Sequence, residues 1–186
     1  MKQKGLTLLE LLVGMVVLVI VITQAVPGLA ELIARNRRVT AVNEFVTAFH
    51  LAKSTAVKSV RRITLCKSAD GARCEESGGW EQGWIVFEDD DANAQRADAE
   101  RLLLTRKAIA GGITIRGNTP YRRYLSFVAD GTVRYVTGGR QIGTMIICSA
   151  GDFTQSRALI VSWGGRLRLQ TGAQSSVSSC LDEDPD

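Results

Sequence analysis

Lys4-Gly5-Leu6-Thr7-Leu8-Leu9-Glu10-Leu11-Leu12, prolonged by an almost unbroken aliphatic run to Ile22, governs how the rest of the chain is read. The only charge between Lys4 and Glu31 is that of Glu10. Such a run supplies the roughly 20 apolar residues that a helix needs to cross a bilayer. A carboxylate within it costs on the order of 2.5–3.5 kcal/mol on insertion scales, so it demands a partner. Lys2 and Lys4 place the N-terminus on the cytoplasmic side by the positive-inside rule. A cleavable signal sequence would use Thr23-Gln24-Ala25 as its exit, but its apolar run would be shorter and free of acid. A plain membrane anchor explains the apolarity and leaves the places of Gly5 and Glu10 unexplained.

Outward from this run, the pattern stays helical. Pro27-Gly28 is expected to interrupt the helix and to bend or loosen one turn. Beyond it, Val39, Val42, Phe45 or Val46, Phe49, Ala52, Ala56 and Val60 recur every three or four residues as one apolar stripe. Arg35, Arg37, Arg38, Lys53 and Lys58 occupy the other faces. One helix from about Leu6 to Ser59 is therefore predicted, lipid-embedded in its first half and amphipathic in its second. His50 lies on it with no second ligand-type residue nearby in sequence, which reads as a packing or surface residue.

After the helix the period changes to two and turn residues multiply. Predicted strands are Arg62–Cys66, Gly83–Phe87, Arg101–Arg106, Ile113–Arg116, Tyr124–Val128, Val133–Val136, Thr144–Cys148, Ala158–Ser162 and Arg166–Leu169. Asp130-Gly131 between two of them is a hairpin signal. The fold class expected is α+β, a lollipop of one long helix on a β-rich head. Four cysteines in an exported chain suggest two disulfides with three possible connectivities. Cys66 and Cys74 flank a short polar loop containing Asp70-Gly71, which pairs them and leaves Cys148 for Cys180. Neither spacing suits thiol redox catalysis or zinc. The formal charge of +4 falls further without Lys2 and Lys4 and is too mild to diagnose a nucleic-acid partner by itself.

Gly5-Leu6-Thr7-Leu8-Leu9-Glu10-Leu11 resembles the leader junction of type IV prepilins and type II secretion pseudopilins, although that family usually has Phe where Leu6 stands. The resemblance implies that a prepilin peptidase cuts after Gly5 and methylates Leu6, and that Glu10 neutralises an N-terminal ammonium during filament assembly. It divides the chain into a leader (1–5), a membrane and filament-core helix (6–34), a globular head (35–172) and a Ser-rich, then acidic tail (173–186). It also implies a single pass through the inner membrane, a periplasmic head and other pilins as partners.

Within that family, Cys66-Lys67-Ser68-Ala69-Asp70-Gly71, Cys74, Trp80-Glu81-Gln82-Gly83-Trp84-Ile85-Val86-Phe87 and Ala158-Leu159-Ile160-Val161-Ser162 resemble the FimT/GspH group. The FimT-like members imply DNA uptake in natural transformation, with Gly165, Arg166 and Arg168 as the DNA contact. The GspH-like members imply priming or capping of the type II secretion pseudopilus without DNA. The spacing itself is suited to phosphate: Arg166 and Arg168 on one strand face would lie about 6.6–6.8 Å apart. That is comparable to successive phosphates, which Arg binds bidentately. Leu167 and Leu169 would then face the core. Such a site is electrostatic and sequence-blind, on single- or double-stranded DNA. Arg134, Arg140, Arg157 and Tyr121-Arg122-Arg123-Tyr124 are candidate extensions.

Asp89, Asp91, Asn93, Gln95 and Glu100 follow the ligand spacing of a calcium loop. Ala94 stands where that loop needs Gly and no helix precedes it, so a solvated acidic loop is the expectation, with no metal or other cofactor. No catalytic arrangement is found in the sequence, and a non-enzyme is expected.

Overall fold

The computed structural model describes residues 7–109, 111–149, 152–172 and 180. Gly5, Leu6 and the tail apart from Cys180 lie outside them. Thr7 opens the first element. Its amide donates to Glu10 Oε2 (2.9 Å), and the Glu10 amide donates back to Thr7 Oγ1 (3.3 Å). This reciprocal capping box satisfies amides that the first helical turn leaves free. Glu10 is thus the third residue of a helix, α1, that runs over Leu8–Ser59. The helix is assigned without a break through Pro27-Gly28, so the predicted interruption is not seen. A single missing N–H leaves the bonds on either side to carry the ladder.

By its contacts the chain divides into Met1–Asn36 and Arg37–Asp186. The first unit contains an 18-residue window of mean hydropathy 2.5 with no buried side chain. The second unit holds the core, and within it α1 buries Ala41, Val42, Phe45, Ala48, Phe49, Ala52 and Ala56. The buried stripe is turned toward the alanines, whose small side chains allow close packing. Val39, predicted inside the stripe, is accordingly 50% exposed. Val60, also predicted inside it, is 73% exposed and ends the helix with φ +56°.

A β-branched residue in the left-handed region costs about 1–2 kcal/mol, which glycine avoids. Val60→Gly should therefore stabilise the unit by about 1 kcal/mol and raise its Tm by roughly 2–4 °C. An unchanged or lower melting temperature in calorimetry would show that the turn is unstrained.

Among the described residues eight strands follow: β1 (Ile63–Lys67), β2 (Gly83–Glu88), β3 (Leu102–Lys107), β4 (Ile113–Gly117), β5 (Tyr124–Phe127), β6 (Gly143–Ser149), β7 (Asp152–Val161) and β8 (Leu167–Thr171). They form two four-stranded sheets, ordered β3-β2-β1-β5 and β4-β6-β7-β8, with antiparallel pairing throughout. The inner faces of both sheets and α1 share one core. Phe45 sits edge-on to Trp80 and Trp84 at 5.6 and 5.5 Å, and Phe49 edge-on to Phe127 at 4.9 Å. Disulfides join Cys66 to Cys74 and Cys148 to Cys180, with Cα separations of 5.6 and 6.0 Å.

The predicted strand Val133–Val136 is absent. The turn before it forms, with the Gly131 amide donating to Val128 O (2.8 Å) and Thr132 N to Asp130 Oδ1 (2.8 Å). Pairing then stops at the isolated bridge Phe127↔Val133. The reason is Gln141, whose buried side-chain amide occupies the edge of β5. Its Oε1 accepts from Ser126 N (3.2 Å), and its Nε2 donates to Tyr124 O (2.8 Å) and Pro120 O (2.7 Å). One carboxamide thereby takes the place of a neighbouring strand.

Candidate nucleic-acid interface

The β7–β8 hairpin turns through Ser162-Trp163-Gly164-Gly165. Gly165 N donates to Ser162 O (2.9 Å) and Ser162 N to Arg166 O (3.0 Å). Gly165 has φ +65°, and a Cβ there would meet the Gly131 carbonyl oxygen and, at 3.0 Å, Lys53 Nζ. Gly164 has open space around it, so only the second glycine is sterically required. Lys53 on α1 donates to Gly165 O at 2.7 Å and to Gly164 O at 3.4 Å. Val133 N donates to Trp163 O at 2.8 Å. The helix and the Asp130-Gly131 turn thus pin the hairpin tip from two sides.

Arg166 and Arg168 leave this tip as exposed side chains. With Ile160 and Ser162 they line a groove of 220 Å³, Ile160 standing opposite Arg168 across the β7–β8 pair. Several other surface arginines are held by acids, Arg61 by Asp90 (2.9 Å), Arg101 by Glu88 (3.5 Å) and Arg106 by Glu44 (2.7 Å), whereas Arg122 and Arg157 are exposed with no acidic partner among the described residues. Arg116 pairs with Glu81 and Arg123 with Glu76. Arg166 and Arg168 have no such partner among the described residues. Of the two leucines expected to face the core, one does. Leu167 packs against the core, but Leu169 is 52% exposed, because β8 is an edge strand and only its first inward residue is covered.

Most of the candidate extensions are otherwise engaged. Tyr121 is fully buried, donates its hydroxyl to Gln141 O (3.1 Å), and burial pushes its phenol well above the ordinary value. The Tyr124 hydroxyl accepts from Val136 N (3.3 Å). Tyr121 therefore offers no aromatic face to a ligand. Arg134 lies 3.8 Å from Asp130, and Arg157 is exposed on β7. Arg140 sits over the Trp163 ring, 4.6 Å from its centre, and Trp163 is 41% exposed. Trp163 and Lys53 were not singled out as site residues from the sequence. The one local signal was an aromatic residue immediately before a Gly-Gly turn.

The acidic loop brings Asp89, Asp91 and Glu100 within 4.8 Å of one another, and Asp91, Asn93 and Gln95 are exposed as in a solvated loop, whereas Asp89 and Glu100 are not. Asp89 and Glu100 are buried, and both are engaged by the loop itself. Asp89 accepts from Asn93 N (3.0 Å), Ala94 N (3.2 Å) and Thr64 Oγ1 (2.6 Å). Glu100 accepts from Asp90 N and Ala97 N, each at 2.9 Å. Desolvation raises the Asp89 carboxyl above its ordinary range, and the Glu100 charge adds to the rise. These carboxylates work as internal acceptors that fold the loop, with Ala92 and Ala94 at φ +56° and +58°.

A family model described as type II transport protein GspH matches residues 41–165, and one for the prokaryotic N-terminal methylation motif matches residues 1–23. No curated protein matches the chain significantly. Among solved structures, the type IV minor pilin FimU of Pseudomonas aeruginosa is similar at 23% identity and a TM-score of 0.60, over 79% of this chain and 97% of that one. The minor pseudopilin EpsH of the Vibrio cholerae type II secretion system is similar at 11% identity and a TM-score of 0.50, over 74% and 97%. At such identities the likeness is one of fold. The capped apolar helix continuing into a helix-on-two-sheets unit is shared ground for pilins and pseudopilins, and the chain belongs to the GspH family of these filament subunits.

Proposed function

We propose that the chain is a minor type IV pilin that binds DNA without sequence preference through Arg166 and Arg168, on a hairpin shaped by Gly165. It serves DNA uptake and takes part in pilus assembly, as a structural rather than catalytic subunit. What supports the reading is one observation: two exposed guanidiniums, free of acidic partners among the described residues, on a pinned edge hairpin. Each phosphate neutralised releases counterions, which gives affinity that depends on salt and not on base sequence. Two contacts make a weak site per subunit, and a filament compensates by presenting several.

Before assembly the chain spans the inner membrane once with its globular unit in the periplasm. Prepilin peptidase cuts after Gly5 and methylates Leu6, and Glu10 then meets an N-terminal ammonium among the packed helices of other pilins. Its place in the capping box keeps that carboxylate within the first turn.

Arg166→Gln with Arg168→Gln should abolish DNA binding at low salt and leave the melting temperature within about 1–2 °C, since both side chains are exposed. Titration of labelled DNA into wild-type and doubly substituted protein checks this. Equal binding by both would move the site elsewhere on the surface. No binding by folded wild-type protein would favour a GspH-like subunit that primes or caps a type II secretion pseudopilus.

A further inference from the structure

We infer that Trp163 makes the Arg166/Arg168 site one for single-stranded nucleic acid, its indole stacking a base whose backbone phosphates the two guanidiniums hold. This rests on the DNA-binding reading and goes beyond it by choosing the strand state. The chain has three tryptophans, and two of them, Trp80 and Trp84, are buried in the core. Trp163 alone is exposed, and it stands three residues before Arg166 in the same turn.

Trp163 is 41% exposed at the hairpin tip, and its backbone is held by the bond from Val133 N and by the closed turn. It is therefore a positioned platform. Arg140 lies over the ring at 4.6 Å, which adds a cation to the same tip and supports the indole from one face. The nearest acid in sequence on the adjoining turn, Asp130, is occupied by Thr132 N and by Arg134.

The strand state follows from what each group can reach. In a duplex the bases are stacked on one another, and a convex tip touches only phosphates. In a single strand the bases are free, and an aromatic ring flanked by cations binds base and backbone together. Arg166 directly precedes β8 and Arg168 lies within it, and an extended spacing of two residues, about 6.6–6.8 Å, is comparable to that of successive phosphates on one chain. The hairpin thus presents an exposed ring at its tip, three residues before Arg166, and a groove lined by Ile160, Ser162, Arg166 and Arg168.

The test uses the full chain in non-ionic detergent micelles, with a twelve-residue oligothymidylate, a mixed-sequence duplex and inorganic polyphosphate as probes. All three indoles emit, but only Trp163 is accessible to a stacking base, so a ligand-dependent change in tryptophan fluorescence that disappears in Trp163→Ala reports this residue. Oligothymidylate should quench it, and polyphosphate should bind without comparable quenching. Trp163→Ala should weaken oligothymidylate binding roughly 5- to 100-fold and leave duplex binding nearly unchanged. Trp163→Phe should retain most of the single-strand affinity. Equal loss for both nucleic acids, or no loss with Trp163→Ala, overturns the inference while leaving DNA binding in place. Wild-type protein that binds neither nucleic acid overturns both.

Discussion

Gln141→Ala should destabilise the globular unit by about 3–5 kcal/mol, far more than an ordinary polar substitution. The side chain is fully buried and bonds Ser126 N, Tyr124 O and Pro120 O, so alanine would strand one amide and two carbonyls. Each unsatisfied buried group costs about 1–3 kcal/mol, and water entering the space left would recover part of it. The Gln141 main chain also bonds Val133 O and the Tyr121 hydroxyl, and those contacts would persist only while the edge of β5 stays in place. Urea denaturation of a soluble protein beginning near Arg35 measures the loss. A cost below about 1 kcal/mol would mean that the carboxamide is replaceable and does not serve as a surrogate strand.

Phe45→Ala should cost a similar 3–5 kcal/mol, by a different cause. The ring is fully buried on α1 and packs edge-on to both Trp80, just before β2, and Trp84, within it. Alanine would leave a cavity bounded by two rigid indoles that collapse poorly, and it would remove two favourable aromatic contacts. Val39→Ala provides the contrast, because Val39 is half exposed and should change stability by less than about 0.5 kcal/mol. Near-UV circular dichroism of the Phe45 variant should also change, since the environment of both tryptophans is altered. Similar losses from the two substitutions would mean that α1 presents a different face to the sheets.

These two substitutions also mark how far the sequence could be read. The apolar run, its acid and the period of α1 are local patterns, and the helix and its amphipathic half were legible from them. The rotation of the stripe from Val39 toward Ala41 and Ala48 was not, because it depends on how closely the helix approaches two sheets. Alternation and turn residues located the eight strands. The ninth failed because a side chain 15 residues from Ser126 in sequence takes the ladder's place, which no local pattern reports.

At the candidate site, Arg166 and Arg168 and the Gly165 turn were readable from spacing and resemblance. The outward-facing Leu169 follows from β8 being an edge strand, a property of sheet order alone. Lys53 and Trp163 enter only when α1, the Asp130-Gly131 turn and the hairpin tip come together. The acidic loop illustrates the converse: its spacing is that of a cation loop, while the fold uses Asp89 and Glu100 on the loop's own amides.

The salt dependence of DNA binding tests the central claim most directly. For a site of two phosphate contacts, log affinity against log salt should fall with a slope of about −1.4 to −1.8. Binding should be the same for unrelated sequences, and the slope should vanish with the binding itself in Arg166→Gln/Arg168→Gln. A flat salt response, or a slope unchanged by the double substitution, would contradict the account.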